Sequence, residues 1–122
     1  MRGALDGMES AAEDRDADAF AKYLSPEYRD PSGLDYAEAV NTLRRLFAGY
    51  EKIEIVLTGV EIQRSDVAAT AKFHANFAGV PRKLGGLDQF LPRASSWNFE
   101  VRFAPEGGAW KAYWAKWEKV SG

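Results

Sequence analysis

The segment "DVAATAKFHANFAG" at residues 66–79 decides the fold class of this chain. Apolar and polar side chains alternate along it, which is the period of a β-strand with one buried face. One predicted face carries Val67, Ala69, Ala71, Phe73, Ala75 and Phe77, and the other carries Thr70, Lys72, His74 and Asn76. We therefore predict a long central strand with an apolar inner face and a polar outer face.

Three further segments around this strand have the same β period. One precedes it, "KIEIVLTGVEIQ" (52–63), and two follow it, "SSWNFEVRFA" (95–104) and "AWKAYWAKWEKV" (109–120). Turn residues at 63–66 and 105–108 separate neighbouring segments and predict hairpins. Because hairpins join antiparallel strands, the second half of the chain predicts an antiparallel sheet.

The first half of the chain has the period of helices. Leu5, Met8 and Ala12 recur at helical spacing in a first helix. Asp16 is a predicted N-cap of a short second helix that Pro26 ends. A third helix is predicted from about Asp35 to Gly49. Helices followed by strands predict a single α+β domain over residues 1–122.

The composition excludes several classes of protein. The chain has 122 residues, a net charge of −2 and no cysteine. A weakly acidic chain lacks the basic face that nucleic acid requires, and without cysteine there is no thiolate metal site or cysteine nucleophile. We expect no metal, no cofactor and no membrane span. Without an apolar signal core we expect a cytoplasmic protein, or a periplasmic one if a leader has been removed.

The order of elements resembles the nuclear transport factor 2-like superfamily, also called SnoaL-like. The matching stretches are "AAEDRDADAFAKYLSPEYRDPSG" (11–33), "DVAATAKFHANF" (66–77) and "FAPEGGAWKAYWAKWE" (103–118). Small uncharacterised proteobacterial members are similar in a "GLD" segment, here 33–35, and in a "GGL…LP" loop, here within 85–92. The resemblance implies three helices packed in a strongly curved antiparallel sheet, a cone-shaped, cystatin-like α+β roll.

This fold would leave a pocket between helices and sheet. The first functional hypothesis is a domain that binds a small, largely apolar molecule there, with Asp30 as the polar contact. The expected lining residues are aromatic or apolar: Met8, Phe20, Tyr23, Tyr28, Phe47, Phe73, Trp97 and Phe99. Because one such scaffold carries many activities, the fold alone does not select a function.

The segment "EYRDPSG" (27–33) carries the second hypothesis, a cofactor-free isomerase- or dehydratase-like enzyme. The resemblance to ketosteroid-isomerase-like members implies Asp30 as the general base, and Tyr23 or Tyr28 would donate the proton. The two oxyanion-stabilising positions of those enzymes fall on Met8 and Phe99, which have no donor. The alternative is that Asp30 only caps the turn.

Aromatic residues on both faces of the last strand carry the third hypothesis, a homodimeric interaction module. Unbroken alternation groups Trp110 with Trp114 and groups Tyr113 with Trp117. One of these faces would then lie on the outer sheet surface as an apolar patch, which is typical of an interface. Family members often pair through that face, so we expect a dimer there.

Other polar features have simpler explanations. Strand alternation places His74, the only histidine, on the outer face beside Lys72 and Asn76 and near Glu100 or Arg102. Asp14 and Asp16 fit caps better than a paired-carboxylate site. The loop at 80–93 could be a lid over the cone or a plug within it, and the sequence leaves both open.

Overall fold

The computed structural model describes residues 1–82 and 93–120. Three helices come first in the chain: α1 (Arg2–Glu13), α2 (Ala17–Ala21) and α3 (Tyr36–Ala48). Four strands follow: β1 (Tyr50–Arg64), β2 (Ala69–Pro81), β3 (Ala94–Glu106) and β4 (Ala109–Lys119). None of the helices in the described part of the chain is long and apolar enough to cross a membrane.

The four strands form one curved, open antiparallel sheet in the order β1-β2-β3-β4. Each strand therefore pairs with its neighbour in sequence, which is the arrangement that successive hairpins produce. Phe73 of β2 lies opposite Phe99 of β3, and Val101 of β3 lies opposite Ala115 of β4. The predicted α+β class is confirmed.

Asp16 caps α2 as predicted, and Asp35, expected near the start of the third helix, is the N-cap of α3. Asp16 accepts a hydrogen bond from Ala19 N at 3.0 Å, and Asp35 accepts one from Glu38 N at 2.9 Å. These carboxylates satisfy backbone donors that the first helical turn leaves free. The expected end of the second helix at Pro26 is wrong, because α2 ends at Ala21 and a turn follows.

The main core lies between the helices and one face of the sheet, which we call the inner face. Its sheet residues are small or well packed, and its helical residues come from all three helices and the turns. The buried members include Leu5, Ala21, Leu24, Tyr28, Val40, Ala69, Ala71, Val101, Phe103, Ala112 and Ala115. A second cluster packs Ala12, Ala17, Phe47, Tyr50 and Ile53 between the helices and β1.

The predicted alternation fails in β4 because the strand contains a bulge. Arg102 pairs with Trp114, but the next residue, Phe103, pairs with Ala112, so Tyr113 is the extra residue. An extra residue shifts a strand's alternation by one position. Trp110 packs against the main core, whereas Trp114 lies on the outer face beside Arg102. The predicted grouping of Trp110 with Trp114 and of Tyr113 with Trp117 is therefore wrong.

The hairpins also differ in position from the prediction. The β1–β2 turn lies after Arg64, with Ser65 N donating to Ala68 O at 2.8 Å, rather than at 63–66. Val67 lies in this turn and is 74% exposed, so its predicted place on the inner face is wrong. Between β3 and β4 only Gly107 and Gly108 turn, both with positive φ, as a two-residue hairpin requires.

The chain between α2 and α3 runs along the free edge of β4. Ala112 N donates to Tyr23 O at 2.7 Å, and Ser25 N donates to Ala112 O at 2.8 Å. Arg29 N then donates to Tyr113 O at 3.1 Å. This pairing covers the sheet edge and places the turn that contains Asp30 beside the bulge.

Candidate functional site

Asp30 is buried, and both of its carboxylate oxygens accept hydrogen bonds. The residue is only 8% exposed. Oδ1 accepts from Leu34 N at 3.1 Å, and Oδ2 accepts from the Tyr28 hydroxyl at 2.9 Å. Its carbonyl also accepts from Gly33 N at 3.0 Å. Asp30 therefore closes the turn, as the capping interpretation expects, and forms a buried pair with Tyr28.

The Tyr28 hydroxyl is held in its protonated form. Burial first, and then the hydrogen bond to Asp30 and its negative charge, raise the pKa of Tyr28 well above the usual range. A phenol with a raised pKa is a poor acid, and here its proton points at Asp30. This geometry weakens Tyr28 as a proton donor to a substrate and favours a structural role for its hydroxyl.

Tyr23, the other predicted donor, packs against α1 instead of Asp30. A Cβ atom added at Gly7 would lie 2.0 Å from the Tyr23 hydroxyl oxygen. Only glycine leaves room for this ring against the helix backbone. The structure thus brings Tyr28, and not Tyr23, into hydrogen-bonding contact with Asp30.

The predicted pocket residues divide into two groups by burial. Tyr28 and Phe47 are buried within the two core clusters, and Phe20 packs edge-on against Phe47 with ring centroids 6.3 Å apart. Met8, Phe73 and Phe99 are only half-buried at the border of the main core. Met8 and Phe99, which the resemblance placed at the oxyanion positions, both pack against the main core.

Three aromatic side chains form a continuous series on the inner face, which we call the aromatic row: Phe73, Phe99 and Trp117. The rings of Phe73 and Phe99 stack at 5.3 Å with an interplanar angle of 11°. Trp117 lies 6.3 Å from Phe99 and is 36% exposed. Trp117 was not among the predicted pocket residues, because alternation alone does not tell which aromatic face of β4 is the inner one; the pairing of Trp117 with Phe99 does.

Trp97 extends the aromatic surface along β3. It lies two residues before Phe99 and opposite Ala75, which is buried on the inner face. Its indole N–H donates to Ser95 Oγ at 2.8 Å, so its polar atom is satisfied within the strand. The half-buried ring therefore presents an apolar surface next to the aromatic row.

His74 lies on the outer face, as alternation predicted. Its Nδ1 is 3.0 Å from Asn98 Oδ1 and its Nε2 is 3.2 Å from Asn76 Oδ1. The partner of His74 from β3 is thus Asn98, and not Glu100 or Arg102 as expected. Within residues 1–82 and 93–120, no three histidine or carboxylate side chains are grouped as metal ligands would be.

Charged and polar contacts cover the outer face of β2 to β4. Glu100 lies 3.1 Å from Arg102 and 3.9 Å from Lys72. The guanidinium of Arg102 sits 4.1 Å above the Trp114 ring. Trp114 is therefore partly covered by a cation, and the apolar patch expected from unbroken alternation is reduced to one ring.

The acidic elbow between α1 and α2 is structural. Asp16 caps α2, and Asp14 is the C-cap of α1. Arg15 between them has a positive φ of 56° and donates from Nη1 to Tyr50 O at 3.0 Å. Asp16 thus acts as a cap, as predicted, and Asp14 stands at the C-terminal end of α1.

Two open cavities lie away from the aromatic row. The larger, about 660 Å³, lies between α2, α3 and the β3–β4 turn, and Leu24, Tyr36, Val40 and Lys111 help to line it. The smaller, about 510 Å³, lies at the elbow, and Phe47 is the member of the predicted pocket that lines it. The predicted lid or plug at 80–93 falls mostly on 83–92, outside the described residues.

Comparison with solved structures identifies the fold. A candidate dehydratase of the NTF2-like family from Streptomyces avermitilis matches with a TM-score of 0.78 and 16% identity, covering 98% of this chain and 92% of that one. An NTF2-like superfamily protein from Salmonella enterica matches with a TM-score of 0.77 and 16% identity, covering 98% and 88%.

A third solved structure is longer than this chain. Bd1075 from Bdellovibrio bacteriovorus matches with a TM-score of 0.79 and 13% identity over 95% of this chain, which spans only 39% of that protein. No protein-family model and no curated protein sequence matches the chain. The structural matches confirm the predicted resemblance: this chain has the fold of the nuclear transport factor 2-like superfamily.

Proposed function

We propose that this protein binds a small, largely apolar molecule on the inner face of its sheet, against the aromatic row. The observation that carries the proposal is that Phe73, Phe99 and Trp117 are in ring contact with one another yet only partly buried. Contiguous exposed apolar surface of this kind is typical of ligand sites. The half-buried Trp97 ring lies on the same face, and the half-buried Met8 side chain packs at the border of the main core.

The physical gain comes from removing these rings from water. Each 100 Å² of apolar surface that a ligand covers contributes about 2.5 kcal/mol. The rings of Phe73 and Phe99 stack on each other and keep part of their apolar surface accessible to a ligand. Asp30 contributes less than the sequence suggested, because Tyr28 and Leu34 N already occupy its two oxygens.

The test is calorimetric titration with 2-naphthalenemethanol, a neutral aromatic probe. Trp117→Ala should weaken binding about tenfold, since a lost aromatic contact is worth about 1.4 kcal/mol. Trp114→Ala is the matched control, because it removes the same side chain from the outer face of the same strand. Equal affinities of both variants and the unchanged protein, or no binding at all, would contradict the proposal.

A second candidate function is an isomerase- or dehydratase-like enzyme with Asp30 as base. The burial of Asp30 favours it, since a carboxylate shielded from water is the group that such a proton transfer needs. The likeness to a candidate dehydratase supports it at the level of fold. The assay is deuterium exchange next to the carbonyl of 2-tetralone, followed by NMR, where exchange that is lost in Asp30→Asn would favour the enzyme.

We also propose that two copies pair through the outer sheet face. Arg and Trp are enriched at the centres of protein interfaces, and Arg102 and Trp114 stack there within a polar surround. The measurement is the mass in solution by light scattering. A dimer that dissociates in Arg102→Glu would support this interface, and a monomeric unchanged protein would contradict it.

A further inference from the structure

The bulge at Tyr113 brings a lysine as well as a tryptophan to the inner face. Beyond the bulge, Trp117 lies opposite Phe99, and Lys119 lies opposite Trp97. Residues opposite each other in an antiparallel pair project to the same face. Val120 N donates to Ser96 O at 2.8 Å, so the pairing continues past Lys119. Lys119 therefore follows the aromatic row at the end of β4.

Lys119 is a charged residue among uncharged inner positions of β2, β3 and β4. The neighbouring inner positions carry Phe73, Ala75, Trp97, Phe99 and Trp117. Among residues 1–82 and 93–120, no carboxylate lies within ion-pair distance of the Lys119 ammonium. By contrast, Lys116 is on the outer face, 4.0 Å from Glu118. The Lys119 charge is thus available to a ligand on the aromatic row.

The acidic residues of α1 lie near the opposite edge of the sheet. Glu13 Oε2 accepts a hydrogen bond from Ile55 N of β1 at 3.2 Å. Glu9 and Asp6 lie on the same side of α1, about one and two turns before Glu13. Glu13 is thus held against β1, at the opposite edge of the sheet from β4. At the β4 edge, the inner face carries Lys119 beside the aromatic row.

We propose that the ligand of the aromatic row is an apolar carboxylate, whose ring or chain covers the row and whose carboxylate pairs with Lys119. This inference rests on the proposed binding function and adds the chemical class of the ligand. A lysine ammonium on a flexible four-carbon stem can follow a carboxylate at the rim while the rest of the ligand stays on the rings.

The experiment compares two probes of the same size, 2-naphthoate and 2-naphthalenemethanol, by calorimetry at pH 7.5. We expect the unchanged protein to bind the carboxylate about three- to tenfold more tightly, as one partly exposed ion pair allows. Lys119→Gln should remove this preference and leave the affinity for the alcohol unchanged. Lys119→Arg should keep most of the preference for the carboxylate. Added salt should reduce this preference in the unchanged protein.

Lys116→Gln is the matched control, because it removes the same charge from the outer face of the same strand, three residues before Lys119. If both probes bind with equal affinity, or if Lys116→Gln and Lys119→Gln act alike, the carboxylate inference is overturned while the binding function stands. If neither probe binds, both proposals are overturned. Loss of the preference for the carboxylate in Lys119→Gln, but not in Lys116→Gln, supports the inference.

Discussion

The two ends of the inner face differ in how far the helices cover them. At the closed end, around Ala71, Val101 and Phe103, the sheet residues are almost inaccessible to water. At the open end, Phe73, Phe99 and Trp117 keep part of their rings exposed. The closed end is covered by helical side chains such as Leu5, Ala21 and Val40, whereas the rings at the open end extend past this cover.

This contrast separates residues that stabilise the fold from residues that are free to bind. A ring inside the core contributes its burial to the free energy of folding, and no ligand can use it again. A ring at the edge of the core contributes less to folding and keeps its exposed area for a ligand. The predictions below test this division, beginning with the largest expected effect.

Phe103→Ala should destabilise the protein far more than Trp117→Ala. Phe103 has no exposed surface, so its loss leaves a cavity and should cost about 3–5 kcal/mol. Trp117 is 36% exposed, and its truncation should cost about half of that or less. Urea unfolding followed by circular dichroism measures both. Phe103→Leu, expected to cost about 1.5 kcal/mol, gives a folded comparison if Phe103→Ala does not fold. Equal losses would abolish the distinction between the two ends.

The sequence was sufficient for the class of fold and for the caps. Alternation in β2 and β3 predicted the inner positions of Ala71, Phe73 and Val101 because those strands have no irregularity between them. Capping by Asp16 and Asp35 was predictable because it depends only on neighbouring backbone donors. Such local rules act over a few residues, so they can be read from the chain.

The candidate site was less predictable because it depends on non-local pairing. The bulge at Tyr113 exists where β4 meets both β3 and the segment that follows α2. Nothing in the run of aromatic residues marks that position, so the inner places of Trp117 and Lys119 could not be derived by alternation. The Tyr28–Asp30 contact spans only two residues, yet its burial depends on the sheet edge against which the turn packs.

Tyr28→Phe tests whether the hydrogen bond between Tyr28 and Asp30 stabilises the fold, as the residues of the closed end do. Removing the hydroxyl leaves a buried carboxylate oxygen without its donor, which should cost about 1.5–3 kcal/mol. Tyr113→Phe is the control, because Tyr113 is only half-buried on the bulge, and its change should stay within about 0.5 kcal/mol. Chemical denaturation provides the values. A Tyr28→Phe protein as stable as the control would mean that the hydrogen bond contributes little to the fold.

Gly7→Ala tests how closely α1 is packed over the core. Alanine normally stabilises a helix relative to glycine by about 1 kcal/mol. At Gly7, however, the added Cβ would overlap the Tyr23 ring, and we expect a net loss of about 1–2 kcal/mol. Gly3→Ala is the matched control, since no atom lies within 4 Å of its added Cβ, and it should stabilise the protein. Stabilisation by both changes would show that Tyr23 moves away without cost.

Glu9→Gln has the smallest expected effect and tests the acidic side of α1. Burial first, and then the charges of Glu13 and Asp6, raise the pKa of Glu9 above its ordinary value of 4.5. Folding therefore favours the protonated form, and the ionised form lowers stability once the pH rises through the folded-state pKa. At pH 7.5 the variant should melt higher by about 2 °C or less, and at pH 3.5 this gain should disappear. Glu27→Gln, which changes an exposed carboxylate after α2, is the control. A gain that persists at pH 3.5 would mean that the amide stabilises the helix by a route other than removal of charge.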